Sequence, residues 1–150
     1  MTGNGSHFPL FVDLAGRPCV IVGGGAIAER RAAVLTRFGA AVTVIAPTWA
    51  GTVPGVDWQA RPYAPGDLEG AFLAVAATDD RAVNRQVGEE ARALGIPVTV
   101  ADCRAECTFY FPAVCEGGGV TAGLISQHGA DHRRVARAAR AVRQALEELE

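Results

Sequence analysis

The sequence contains no lysine: all 14 of its basic residues are arginine. That absence excludes any mechanism that rests on a lysine Schiff base. There is no basic excess either, since 16 acidic residues bring the net charge to −2. A general nucleic-acid binder should be basic, so none is expected here. No run of about 18 apolar residues occurs, and no membrane span is expected. The opening MTGNGSHFPL lacks both a basic n-region and a long apolar h-region, so it does not read as a secretory signal. The four cysteines, Cys19, Cys103, Cys107 and Cys115, form no CxxC pair. A reduced, cytosolic protein is the natural expectation. What is present is a chain of 150 residues, 49% hydrophobic and 20% charged, with mean hydropathy +0.17. That length suits one ordinary domain with a short appendage, and the composition excludes disorder.

Apolar periodicity divides the chain into alternating elements. Pro18–Val22, Ala41–Ile45, Phe72–Ala77 and Ile96–Ala101 read as buried parallel strands, with a weaker third strand near Val56–Arg61. Ile27, Val34, Leu35 and Phe38 recur at helical spacing before Gly39, and Val83, Val87, Ala91 and Leu94 do so before Gly95. Thr78 is a candidate cap for the second helix, with Asp79 and Asp80 in its first turn. The order β-α-β-β-α-β predicts a Rossmann-like, doubly wound parallel sheet. Beyond Asp102, Phe109–Val114 and Val120–Ser126 flank Glu116-Gly117-Gly118-Gly119 and read as a hairpin or strand exchange. From Asp131 a helix runs to the end, and Val135, Ala139, Val142, Leu146 and Leu149 step 4-3-4-3. This seam packs either on its own domain or on a second copy.

Gly23-Gly24-Gly25-Ala26-Ile27-Ala28 fits G-x-G-x-x-A between a strand and a helix. Gly23 permits the tight turn, Gly25 admits a pyrophosphate to the backbone, and Ala28 brings helix close to strand. Free N–H groups at the helix start would face the phosphates. The alternative is a glycine turn of purely structural use. After the second strand stands Ala46-Pro47-Thr48, with neither the acid that holds a ribose hydroxyl nor an arginine for a 2′-phosphate. NAD is therefore favoured over NADP.

Longer stretches carry a family likeness. Phe8-Pro9-Leu10-Phe11-Val12-Asp13-Leu14-Ala15-Gly16-Arg17-Pro18-Cys19 leads into the glycine loop. Asp67 through Asp80, Asn84, Asp102, Cys107 and Phe109-Tyr110-Phe111-Pro112-Ala113-Val114 follow in order. Over residues 8–126 the chain resembles the precorrin-2 dehydrogenase/sirohydrochlorin ferrochelatase family, the NAD-binding module of siroheme synthases.

The resemblance implies oxidation of precorrin-2 to sirohydrochlorin with NAD⁺ and, in bifunctional members, Fe²⁺ insertion to give siroheme. It implies a tetrapyrrole substrate, a homodimer, an NAD-binding domain over 1–112 and a strand-plus-helix dimerisation and substrate-binding segment over 113–150. Asp102 takes the position of the family's catalytic aspartate, a proton acceptor for both steps. Cofactor contacts carry over to Gly24, Gly25, Ala26, Ile27, Pro47 and Thr48. Thr78 and Asp79 lie near the expected nicotinamide, a role that competes with helix capping. Ser126, Arg133 and Arg137, with Arg140 on the same helical face, are candidate contacts for the substrate's carboxylates. A solvated helix face is the alternative.

The chain departs from the family pattern in several places. Thr99-Val100-Ala101-Asp102 stands for Asn-Val-x-Asp, Glu116-Gly117-Gly118 lacks the turn arginine, and Ser126–His132 keeps only Ser126 and Gly129 of the usual motif. His128 with His132, or Cys103, Cys107 and Cys115 near Asp102, are metal-ligand candidates, although an exposed helix start accounts for the histidines and no metal is assigned. Two other functions stay open: a non-catalytic dinucleotide-sensing module, and a family member repurposed as an oxidoreductase or metal-handling protein.

Overall fold

Uninterrupted apolar runs become the buried strands. In the computed structural model, which describes residues 7–127 and 131–149, one parallel sheet contains β1 (Pro18–Val22), β2 (Ala41–Ile45), β3 (Asp57–Gln59), β4 (Leu73–Ala76) and β5 (Val98–Val100). Its strand order is β3-β2-β1-β4-β5. Helix α1 (Ala26–Arg37) joins β1 to β2 and packs on both, and α2 (Arg81–Leu94) does the same for β4 and β5. The chain winds outward from β1 in opposite directions, so right-handed crossovers put the two helices on opposite faces. This is the Rossmann-like doubly wound sheet that the sequence predicts.

Register builds the core beneath α2. Val20 lies beside Ala74 and Ala74 beside Val98, while Val22, Ala76 and Val100 repeat the row two residues on. Val87 and Ala91 of α2 close over this layer. Gly88 permits the close approach, since a Cβ there would stand 3.3 Å from Val100 Cγ2. Cys19 on β1 is wholly enclosed, and burial pushes its thiol pKa up to about 11.

Two expectations need correction. The third strand spans Asp57–Gln59 instead of 56–61, because a short, polar edge strand lacks the burial that extends its neighbours. The cap of α2 is Asp80, not Thr78. The Asp80 carboxylate accepts from the Ala82 N–H at 2.9 Å and the Val83 N–H at 3.4 Å. Asp80 directly precedes the helix and reaches its second and third amides, as an N-cap must.

The sheet and its helices lie in one compact unit, Val12–Phe109. A second unit joins the segment up to Phe11 with Tyr110 onward. There β6 (Ala113–Gly117) and β7 (Val120–Leu124) form an antiparallel hairpin, followed by α3 (His132–Glu147). Gly118 and Gly119 turn the hairpin with φ of +57° and +77°, the pair of positive values that a two-residue type I′ turn requires. The first strand starts at Ala113, later than the apolar run, and Pro112 before it has no N–H to give a ladder.

The 4-3-4-3 seam of α3 is largely filled by this hairpin. Ala139 and Leu146 are buried with Cys115, and Val142 packs beside them. A Cβ on Gly117 would stand 2.9 Å from Leu146 Cβ, so glycine in place of the turn arginine goes with a helix seated directly on the turn. Among the described residues, no helix is long and apolar enough to cross a membrane.

Candidate functional site

The three glycines after β1 have different reasons to be glycine. Gly23 has φ of +128°, and a Cβ there would lie 2.2 Å from the Ala77 carbonyl oxygen, so the β1 and β4 ends touch through it. At Gly24 a Cβ would lie 1.8 Å from the Thr48 carbonyl oxygen, beside the loop that leaves β2. Gly25 has an ordinary φ of −85° and no atom within 4 Å of a Cβ. Neither its conformation nor its packing calls for glycine, and the open space above it is a cradle that a side chain would fill.

Gly25 is also the N-cap of α1, where no side chain bonds the first amides. The N–H groups of Ala26 and Ile27 therefore lead out of the helix into that space. Ala28 is fully buried, which brings α1 close to the sheet, while Ile27, Pro47 and Thr48 are exposed around the opening. A glycine cradle, unpaired amides and a helix N-terminus form the donor set for a pyrophosphate. The residues fit a dinucleotide.

The end of β4 is tied down by a buried amide. Asn84, fully enclosed on α2, accepts from the Thr78 N–H at 3.0 Å and from the Thr78 hydroxyl at 2.7 Å, and its Nδ2 donates to the Thr78 carbonyl at 3.0 Å. The hydroxyl accepts in turn from the Asp80 N–H at 3.1 Å. Thr78 is thus fixed at the carboxyl end of β4, and Asp79 beside it is exposed.

Asp102 lies in the turn after β5, the edge strand of the sheet. The returning chain covers that edge. Thr108 donates its N–H to the Val98 carbonyl at 2.8 Å and accepts from the Val98 N–H at 2.9 Å through its hydroxyl. One step along, the Cys107 thiol accepts from the Val100 N–H at 3.1 Å and lies 3.3 Å from the Val100 carbonyl. Arg81, the first residue of α2, donates through Nη1 to Asp102 Oδ1 at 2.8 Å and through Nη2 to Glu106 Oε1. Partial desolvation works against the guanidinium, but the bond to Glu106 and the charges of Asp102 and Glu106 hold its pKa above the ordinary value.

The sheet unit therefore brings together Gly23, Gly24, Gly25, Ala26, Ile27, Pro47, Thr48, Thr78, Asp79 and Asp102 at the carboxyl ends of its strands. Ligands of open α/β sheets bind there, at the point where strand order reverses. Ser126, Arg133 and Arg137 belong to the hairpin unit, where the two arginines and Arg140 are exposed on α3. Cys115 is buried in that unit, with its Sγ 3.7 Å from the Ala139 carbonyl, whereas Cys103 and Cys107 are in the sheet unit. No group of three or more metal-ligating side chains gathers among the described residues. His128 lies outside the described residues.

Sequence reasoning missed Arg81 and Glu106 and gave Asn84 no role. An arginine after a capping aspartate carries no signal until the topology brings β5 beside β4.

Known proteins share this architecture. The family model described as putative NAD(P)-binding matches residues 10–113. The probable multifunctional siroheme biosynthesis protein HemA of Ruminiclostridium josui is 41% identical over 143 residues, 91% of this chain and 28% of that protein. A siroheme synthase of Methylobacillus flagellatus is 42% identical over 114 residues, 72% of this chain and 24% of that one. The chain thus spans about a quarter of the length of the curated relatives it matches. Among solved structures, SirC, a precorrin-2 dehydrogenase, aligns with a TM-score of 0.76 at 28% identity, over 95% of this chain and 72% of that chain. The residues matched by the family model include the glycine cradle, the Thr78 turn and Asp102, and the chain belongs to this putative NAD(P)-binding family.

Proposed function

We propose that this chain oxidises precorrin-2 to sirohydrochlorin with NAD⁺, releasing NADH and a proton. The observation that carries the reading is the shared end of Gly25 and Asp102. They follow β1 and β5, which are two strands apart, or roughly 10 Å at ordinary strand spacing. A dinucleotide anchored over Gly25 and running across β4 would bring its reactive ring toward Thr78 and Asp102. The names of the siroheme relatives and of SirC support the same chemistry.

Bound NAD⁺ supplies the acceptor for the hydride. The amides of Ala26 and Ile27 would donate hydrogen bonds to the pyrophosphate, and the fixed Thr78 turn, with Asp79 beside it, would support the nicotinamide end. Pro47 and Thr48 border the adenosine side, where the absence of an arginine favours NAD over NADP. As one C–H bond of precorrin-2 gives up its hydrogen with the electron pair, the Asp102 carboxylate accepts a proton from the ring, and a double bond forms. In Fe²⁺ insertion, with Fe²⁺ as substrate, the same carboxylate would accept the two pyrrole protons in turn, releasing the first to water before it takes the second. Ser126, Arg133 and Arg137 would hold the substrate's carboxylates. The segment 113–150 would join two copies in a homodimer. Four free cysteines agree with a cytosolic setting.

The test is the 150-residue chain with precorrin-2 and NAD⁺, followed by NADH absorbance. Activity is expected, and Asp102→Asn should lower kcat about 10²–10⁴-fold with NAD⁺ affinity intact. NAD⁺ binding without turnover would favour the sensing module and overturn the dehydrogenase reading.

A further inference from the structure

Arg81 stands in an electrostatically poor place. It is the first residue of α2, where the helix dipole disfavours a cation, yet its guanidinium is committed to two carboxylates at once. One nitrogen bonds Asp102 Oδ1 at 2.8 Å and the other bonds Glu106 Oε1. Stability does not account for this arrangement. The Arg81 and Asp102 side chains are 45% and 39% exposed, and ion pairs that wet contribute little.

Geometry accounts for it better. A guanidinium is planar and rigid, so pairing two of its nitrogens with two acids fixes the angle between them. Glu106 is the less exposed acid, at 21%, and its main-chain carbonyl also accepts from Arg92 Nη1 at 2.7 Å. It is the anchored end of the array, and Asp102 is the open end. Among the described residues, Arg81 is the one side chain bonded to Asp102. Oδ1 is held by Arg81, and among the described residues no hydrogen bond reaches Oδ2.

We propose that Arg81 is a positioning residue for proton removal, with Glu106 as its anchor: together they hold Asp102 Oδ1 so that Oδ2 is presented to the substrate. This inference rests on the reading of Asp102 as the proton acceptor. Arg81 itself touches neither the substrate nor the cofactor in this assignment. It acts through Asp102 alone, and that makes it testable by coupling.

The experiment is a double-mutant cycle in the full chain, with kcat and KM for precorrin-2 and NAD⁺ read from NADH formation. Arg81→Gln should lower kcat about 10- to 100-fold, the scale of a misaimed catalytic group, with both KM values within about twofold. Arg81→Lys keeps the charge without the fork and should recover only part of the loss. Glu106→Gln should lower kcat in the same direction by less. In the Asp102→Asn background, Arg81→Gln should have no further effect. An equal fall in both backgrounds would show that Arg81 acts elsewhere and overturn the proposal, as would parental kcat in Arg81→Gln. Parental kcat in Asp102→Asn itself would instead overturn the proton-acceptor reading and this inference with it. Should Arg81→Gln lose its fold, as judged by NAD⁺ binding, Arg81→Lys and Glu106→Gln complete the same cycle.

Discussion

The carbonyl oxygen of Thr48 lies 1.8 Å from where a Cβ on Gly24 would stand, while the neighbouring Gly25 faces open space. Two adjacent glycines therefore have different surroundings, one closed off by the protein and the other open to the pyrophosphate proposed above. Gly24→Ala must push the β2 loop aside and should destabilise the fold by about 1–3 kcal/mol. Gly25→Ala should leave stability within about 0.5 kcal/mol but weaken NAD⁺ binding about tenfold or more, through a methyl in the pyrophosphate cradle. Thermal unfolding and calorimetric NAD⁺ titration of both variants check the crossed pattern. Equal NAD⁺ affinity in Gly25→Ala and the parent would place the cofactor elsewhere.

Asn84 is the hinge pin of the turn at the end of β4. Asn84→Ala removes both the acceptor for the Thr78 N–H and the donor to its carbonyl, and each polar group left without a partner costs about 1–3 kcal/mol. The variant should show a urea midpoint well below the parent's and a raised KM for NAD⁺. An unchanged midpoint would mean that the turn holds without its amide.

Asp67 supports the loop between β3 and β4. Arg61 donates to both of its oxygens, at 2.8 and 2.9 Å, and the Ala64 N–H donates at 2.7 Å. The bonds from Arg61 hold the carboxyl below its ordinary pKa of 3.8, against the opposing effect of burial and with help from the Ala64 N–H and the Arg61 charge. A depressed pKa makes the carboxylate's contribution to stability complete above the unfolded value and lost as pH falls through the folded one. The parent should therefore lose urea resistance below about pH 4, and Asp67→Asn should lose less over the same interval. Parallel pH profiles for the two proteins would remove Asp67 from the acid response.

The C-terminal seam separates two roles by position. Leu146 is 8% exposed and packs under the hairpin, whereas Leu149 is 62% exposed. Leu146→Glu should unfold the hairpin unit, because a charge enters an apolar contact. Leu149→Glu should leave folding intact and weaken association between copies. Circular dichroism with thermal unfolding checks the first and sedimentation equilibrium the second, and a parent that sediments as a monomer would overturn the proposed homodimer.

Most of the sheet was legible because β1, β2, β4 and β5 are continuous apolar runs, which burial on both faces demands. β3 was least legible, since Asp57-Trp58-Gln59 carries almost no apolar signal. Thr78 and Asp80 are both of residue types that cap helices, and only the structure decides between them: Asp80 reaches the Ala82 and Val83 amides while the buried Asn84 engages Thr78. The glycine loop was readable from spacing, although the division of labour between Gly24 and Gly25 needs the Thr48 carbonyl in view. The pairing of Arg81 with Asp102 joins residues 21 apart in sequence and depends on β5 lying beside β4. A heptad step on α3 read equally well as a seam between molecules, and the glycines of the hairpin turn are what let its own hairpin fill most of it.

Parallel sheets in solution risk polymerising strand by strand, because an open edge is a template for the next molecule. Here one flank is only three residues long and mostly polar at β3, and at the other flank Cys107 and Thr108 occupy the outward amides and carbonyls of Val98 and Val100. The segment that carries Asp102 thus has a second consequence unrelated to chemistry. It denies fibrillar growth a starting row, and loosening it should cost the protein its colloidal durability as well as its aim.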